Sequence, residues 1–306
     1  MRILVTGASG FVGNLLSRRF GAERHEVIGL AAGGWKPRVP PPGVEPGFLH
    51  NVLYGGQFDA LVHAAGPSNV RTCHEQPVVV GEALNDWSKL LERAWVNRAQ
   101  VILLSSHSVY GSQETQPIPE TAKLSPRSIY GAMKAAQEAL AMAFFHAKAL
   151  PVTILRCGTL CGGAERPDAL VRRLVDSALA GEIRLEGSGE QTRDICDVYD
   201  AVEAIARCLG RDDTAGEVYN VGSGTAVTIG ALANLIADEV GKATGKRPQV
   251  VLTPARSHEE GNVGLDVSKA RAAKVLLRPP LPWEDAVKRT IAWCLEETTE
   301  SRRPGA

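Results

Sequence analysis
The chain alternates short, almost wholly apolar runs with longer stretches of helical periodicity. Five runs, at 2–6 (RILVT), 26–30 (EVIGL), 59–63 (DALVH), 100–104 (QVILL) and 152–156 (VTILR), are bounded by turn residues. Runs of that kind predict strands buried on both faces. Between several of them lie helix-like stretches: Phe11 to Phe20, about 82–95 and about 128–148. The last carries Tyr130, Lys134, Ala136, Leu140 and Phe144 at helical spacing. Strands alternating with helices predict βαβ units, hence a mostly parallel, doubly wound sheet covered on both faces. Segment 37–47, with Pro37, Pro40, Pro41, Pro42 and Pro46, predicts a stiff loop without strand or helix interior.

From about residue 162 the pattern changes. It predicts helices over 166–180, 198–209, 228–241 and 282–297, with strands at 217–222 and 249–253 and a polar turn EGSGEQTRD. The expected division is an α/β unit over 1–161, a smaller α/β lobe over 162–297 with a soft, interwoven boundary, and a disordered tail over 298–306.

Composition narrows the choice of function. In 306 residues, 44 % are hydrophobic, enough for a packed core, and Lys plus Arg (34) balances Asp plus Glu (34). Zero net charge argues against a nucleic-acid binder, which needs a basic surplus to track phosphates. It leaves room for a small anionic ligand held by two or three arginines. No apolar run approaches about 18 residues, and MRILVTG is too quickly broken by glycine for a signal segment. The expectation is a cytoplasmic protein that does not engage membranes. Cys73, Cys157, Cys161, Cys196, Cys208 and Cys294 show neither CxxC nor zinc-type spacing, so they read as reduced core thiols and no metal site is expected.

The strongest local signal follows the first strand. Gly7-Ala8-Ser9-Gly10-Phe11-Val12-Gly13 runs from a strand into a helix, the setting of a dinucleotide turn. One glycine permits the tight turn, one lets backbone N–H groups approach a pyrophosphate, and Gly13 allows close helix–strand packing. Gly7, Ser9, Gly10, Phe11, Val12 and Gly13 are therefore candidate cofactor residues, with the helix N-terminus facing the phosphates. This makes 1–161 the candidate dinucleotide-binding unit of a Rossmann-type fold and 162–297 the candidate substrate lobe.

The spacing is G-x-x-G-x-x-G. With it stand His63-Ala64-Ala65-Gly66, Ser105-Ser106-His107-Ser108-Val109-Tyr110-Gly111 and Tyr130-Gly131-Ala132-Met133-Lys134. Thr192-Arg193-Asp194-Ile195, Tyr219-Asn220-Val221-Gly222 and Asp266-Val267-Ser268-Lys269 follow in order. Over roughly residues 2–297 the chain resembles the extended short-chain dehydrogenase/reductases that modify nucleotide sugars. The layout is similar to the GDP-4-keto-6-deoxymannose reductase and UDP-galactose 4-epimerase types.

That resemblance implies an enzyme in which Tyr130 carries a proton, Lys134 tunes Tyr130 and holds the nicotinamide ribose, and Ser106 binds the reacting sugar oxygen. Tyr130 and Lys134 stand at i and i+4, on one helix face. An unperturbed tyrosine, with a pKa of about 10, needs such a neighbour near neutrality. Ala64, Ala65 and Gly66 would border the adenine and ribose. The family's dehydratases carry Asp-Glu directly after the serine, where this chain has His107 and Ser108. Reduction of a nucleotide-linked 4-keto-6-deoxyhexose is thus the favoured reading, with a 4-epimerase holding NAD as the alternative. A non-catalytic dinucleotide sensor stands behind both.

NAD-specific relatives keep an acidic residue at the end of the second strand, but Leu30 is followed here by Ala31. NADP(H) is accordingly favoured and NAD possible; Lys36 and Arg38 are candidates for a 2′-phosphate or are simply solvated. His107 and Ser108 with Ser106 are candidate substrate contacts. Arg193 and Arg256 match arginines that clamp the substrate's diphosphate. Arg172 and Arg173 lie on a helix expected to face the substrate cleft, though helix position alone does not choose between them and solvent. Relatives usually dimerise through the helix carrying YxxxK, so a homodimer is expected, with Ala135, Ala139 and Ala143 as the face. Cys157 departs from the proline expected after VTILR.

Overall fold
The computed structural model describes residues 1–31, 41, 44–47, 49–68, 70–254 and 261–300, with backbone alone for 298–300. The first half opens with β1 (Arg2–Thr6), α1 (Phe11–Ala22), β2 (Glu26–Leu30) and β3 (Val44–Gly47). It continues through α2 (Leu49–Gly55), β4 (Ala60–His63), α3 (Val70–Glu75), α4 (Val78–Asn97) and β5 (Gln100–Ser106). Then come α5 (Ile129–Lys148), β6 (Val152–Cys157), β7 (Thr159–Cys161), α6 (Leu170–Leu179), β8 (Glu182–Glu186) and β9 (Thr192–Asp197). The chain ends through α7 (Val198–Cys208), β10 (Val218–Val221), β11 (Ala226–Thr228), α8 (Ile229–Thr244), β12 (Gln249–Thr253), α9 (Ser268–Ala272) and α10 (Trp283–Glu300).

Seven strands form one wholly parallel sheet in the order β10-β6-β5-β4-β1-β2-β3. Alternate residues of each strand serve opposite faces. Ile3, Val5, Val62 and Ile102 join Val12, Leu16 and Phe20 of α1 and Val198, Ala201 and Ile205 of α7. Leu4, Leu61, Val101 and Leu103 join Trp87, Leu90 and Leu91 of α4 and Ala141 of α5. This is the α/β, doubly wound Rossmann-type architecture that the alternating pattern predicts. β11 and β7 flank β9 in a three-stranded sheet, and β12 pairs with β8. A third apolar cluster lies among α6, α8 and α10, through Leu174, Val175, Ile236, Val287 and Ile291.

Two expectations need correction. Part of segment 37–47, read as loop throughout, is strand: Val44–Gly47 pairs with β2, Gly29 opposite Pro46. β3 is the outermost strand, and an edge tolerates a residue without an N–H to donate. The last helix continues to Glu300, three residues into the segment read as tail. β10 comes from the second half of the chain yet completes the large sheet beside β6, so the two halves interweave. Among the described residues no helix is long and apolar enough to cross a membrane.

Candidate functional site
Because the large sheet is parallel, Thr6, Leu30, His63, Ser106, Cys157 and Val221 all end strands at one edge, where ligands of such sheets bind. The β1–α1 turn is shaped by two glycines. Gly7 has φ +70°, and a Cβ on it would stand 2.6 Å from the Ala64 carbonyl oxygen. A Cβ on Gly13 would stand 2.1 Å from the Gly7 oxygen. Ala64 and Ala65, partly buried, and exposed Gly66 therefore lie directly beside the turn. α1 starts at Gly10 with no side-chain cap and no acidic residue in its first turn, so its first N–H groups suit an anion. Val12 is buried in the core under the turn, while Ser9 and Phe11 are half-buried at its rim. These residues fit a dinucleotide: a turn closed on backbone by Gly7 and Gly13 leads into a helix start whose N–H groups have no side-chain cap.

At the end of β5 the Ser106 hydroxyl accepts from Ser108 N–H at 3.2 Å and caps a single 3₁₀ turn, His107–Val109. His107 and Ser108 are both buried in that turn. α5 docks upon it. Ser128 caps α5 by accepting from Gly131 N–H, and a Cβ on Gly131 would come 2.5 Å from the Ser108 carbonyl oxygen. Tyr130, half-buried, precedes that contact; Lys134, 6 % exposed, follows it and donates to the Leu104 carbonyl at 3.0 Å. Ser106, Tyr130 and Lys134 are thus gathered where α5 meets the end of β5.

Burial pulls the Lys134 ammonium down to about 8, with the Glu138 carboxylate opposing that fall. An ammonium one helical turn from a phenol favours the phenolate. On β4, burial and the Lys134 charge push His63 down to about 3, so its ring is neutral, bridging Thr6 Oγ1 (2.9 Å) and Gln137 Nε2 (3.3 Å).

Sequence reasoning missed the polar network beneath this cluster. Arg156 of β6 donates to both Glu138 carboxylate oxygens (2.7 and 3.1 Å) and to the Tyr110 hydroxyl at 3.0 Å. Ser105 also donates to Glu138, and Tyr110 donates to Asn220 Oδ1 at 2.7 Å. The available signals were Glu138 at i+4 from Lys134 and a lone arginine inside an apolar strand. All six cysteines are free and buried. Cys157 stands in register with Ser106, its thiol pushed up to about 12 by burial, against the pull of Lys134.

On the opposite side Arg193 of β9 is half-buried and donates to the carbonyls of Thr192 (2.8 Å) and Gly261 (3.1 Å). Arg172 pairs with Asp176 and Glu297 and stacks on Trp293 of α10. Arg173 is exposed. Ala31 carries no carboxylate at the end of β2; Lys36, Arg38 and Arg256 lie outside the described residues.

Comparison with known proteins agrees with this geometry. Residues 3–222 match the model of the NAD dependent epimerase/dehydratase family. A Bacillus subtilis (strain 168) protein named as an uncharacterized UDP-glucose epimerase, YtcB, is 28 % identical over 319 residues, spanning 96 % of this chain and 98 % of its own. The dTDP-glucose 4,6-dehydratase DesIV of Streptomyces venezuelae, solved with NAD and TYD bound, is 27 % identical with a TM-score of 0.87, covering 98 % of both chains. The UDP-glucuronic acid 4-epimerase of Bacillus cereus, solved with UDP-glucuronic acid and NAD, is 25 % identical at a TM-score of 0.84, covering 97 % of this chain and all of its own. With the glycine turn, the serine turn and the Tyr130–Lys134 pair at one sheet edge, the chain belongs to the NAD dependent epimerase/dehydratase family, as a nucleotide-sugar-modifying extended short-chain dehydrogenase/reductase.

Proposed function
We propose that this enzyme works at C4 of a nucleotide-linked hexose as a 4-epimerase. The observation that carries the reading is the docking of α5 on the Ser106–Ser108 turn. It gathers Ser106, Tyr130 and Lys134, while the two positions after Ser106 hold no carboxylate with which to eliminate water. Relatives named for UDP-glucose and UDP-glucuronic acid epimerisation support the substrate class.

NAD would be held by the Gly7–Gly13 turn and the start of α1, and when bound it supplies the hydride acceptor and donor. Tyr130 takes the proton of the C4 hydroxyl and later returns it. Lys134 favours the phenolate that does so, and Ser106 hydrogen-bonds the same sugar oxygen, steadying its negative charge. Arg193 and Arg256 hold the diphosphate, whose grip lets the sugar present either face.

The second reading, an NADPH-dependent 4-ketoreductase, is favoured by one observation: β2 ends on Leu30 and Ala31 without a carboxylate to hold a ribose diol. Denaturing the purified protein and identifying released nucleotide separates the two. Stoichiometric NAD, with C4-inverted product from UDP-glucose or UDP-glucuronic acid seen by NMR without added cofactor, supports the epimerase. Empty protein that oxidises NADPH only with a 4-keto-6-deoxy sugar overturns it in favour of the reductase. The homodimer is part of the proposal. Exposed Ala139 and Ala143 suit a helix interface, whereas Ala135 packs against the core; light scattering should return twice 32.6 kDa.

A further inference from the structure
Glu138 is 3 % exposed, yet the proposed chemistry does not use it. It lies one helical turn beyond Lys134, and its carboxylate is where three elements converge. Arg156 of β6 bridges both oxygens, at 2.7–3.1 Å, and Ser105 of β5 donates to one of them. Ser105 immediately precedes Ser106, and Arg156 immediately precedes Cys157, which is paired in register with Ser106. The same carboxylate therefore ties α5 to both strand ends that frame the serine.

Electrostatics point the same way. A buried ammonium without a counter-charge sheds its proton. The groups acting on Lys134 are Glu138 on its own helix, Cys157 on β6 and Cys73 on α3. His63 on β4 is also coupled to it, and Tyr130 precedes it by one turn. Both thiols are pushed upward by burial and so are neutral near pH 7; His63 is neutral as well. Glu138 is the carboxylate within this set. Arg156 bridges the same carboxylate and opposes its pull on the ammonium, so the guanidinium is varied together with Glu138 in the test.

We propose that Glu138 is a positioning residue for Lys134: its carboxylate, pinned by Arg156 and Ser105 one turn along α5, holds that face of the helix against the ends of β5 and β6 and favours the charged ammonium. The kinetic part of the test rests on the proposed C4 chemistry; the titration does not.

The test is competitive acetylation of Lys134 with acetic anhydride from pH 6 to 11, quantified on the Lys134 peptide by mass spectrometry. Glu138→Gln should lower the midpoint by about one unit or more, the size expected on losing an opposite charge at this range. Because Gln leaves the Arg156 charge buried and unpaired, Glu138→Gln/Arg156→Met is made in parallel. Replacing both partners of a buried pair is often neutral for stability, and this variant, which also removes the repelling guanidinium, should show a smaller fall in the same direction. Glu138→Asp, which keeps the charge, should return the midpoint to that of the native protein. Where turnover is measurable, the alkaline limb of kcat should move with the midpoint. An unmoved midpoint in both Gln variants overturns the proposal, even if kcat collapses, since that pattern is a purely structural role. If no nucleotide sugar is turned over, the titration still decides the role of Glu138, and the epimerase reading alone fails.

Discussion

At Tyr130 a binding role and a chemical role differ by one oxygen. The ring is half-buried at the start of α5, so Phe fits the same space, and Lys134 keeps its bond to the Leu104 carbonyl. Tyr130→Phe should lower kcat by at least about 100-fold, the low end for loss of a general acid–base group, while NAD still binds with little change by fluorescence titration. A fully active variant would remove Tyr130 from the chemistry. His63 offers a second residue-level test. Burial depresses it to about 3 from 6.5, so between those values the unfolded chain binds a proton that the native chain refuses. Its contribution to stability is complete above about pH 6.5 and is lost as the pH falls towards 3. The urea midpoint should drop from pH 7 to pH 5, and less steeply in His63→Gln. Equal slopes would mean that His63 is not the group responsible.

Between elements, the decisive contact is backbone on backbone. Gly131 has helical geometry, so Ala there would raise helix propensity by up to about 1 kcal/mol. Its Cβ, however, would meet the Ser108 oxygen at 2.5 Å and Pro126 Cβ at 3.1 Å. The start of α5 must then lift from the serine turn, carrying Tyr130 away from Ser106. We expect Gly131→Ala to retain its far-ultraviolet circular dichroism and lose at least about tenfold in kcat, since displacements near 1 Å cost this much or more. Native turnover would show that the docking does not set the site. At this scale the sequence was readable where information is local. Apolar runs and helical spacing placed β1, β2, β4, β5, β6 and α5 within a residue or two of their observed bounds. β3 was hidden because Pro46 reads as a breaker until the strand is known to be an edge. The Glu138–Arg156 pair was hidden because only the packing of α5 on β6 brings those residues together, and neither is unusual alone. Arg172 was undecidable for the same reason: α10, its partner, is more than a hundred residues away.

For the molecule as a whole, one buried carboxylate joins the small sheet to the large one. Asp194 of β9 accepts from the Ser223 N–H (2.7 Å) and hydroxyl (2.9 Å), from Gly224 N–H (3.1 Å) and from Leu265 N–H (3.2 Å). Ser223 and Gly224 follow β10, the strand that returns from the second half of the chain to close the seven-stranded sheet. Leu265 belongs to the segment that bridges to Ile118. Three stretches far apart in sequence are therefore fixed by two oxygens, next to Arg193. Asn has nearly the same volume but replaces one accepting oxygen with a donor, which must then face an N–H. Buried donors left without an acceptor cost about 1–3 kcal/mol each, so Asp194→Asn should destabilise the fold by roughly 2–5 kcal/mol in urea. Below the unfolding transition the loss should also reach Arg193, whose position depends on β9 and on the Gly261 carbonyl in the same bridging segment. KM for a nucleotide sugar should then rise more than kcat falls, while affinity for NAD, whose proposed seat is the β1–α1 turn, stays near that of the native protein. Equal losses in NAD and sugar binding would mean that Asp194 supports the fold without any bias toward the substrate side.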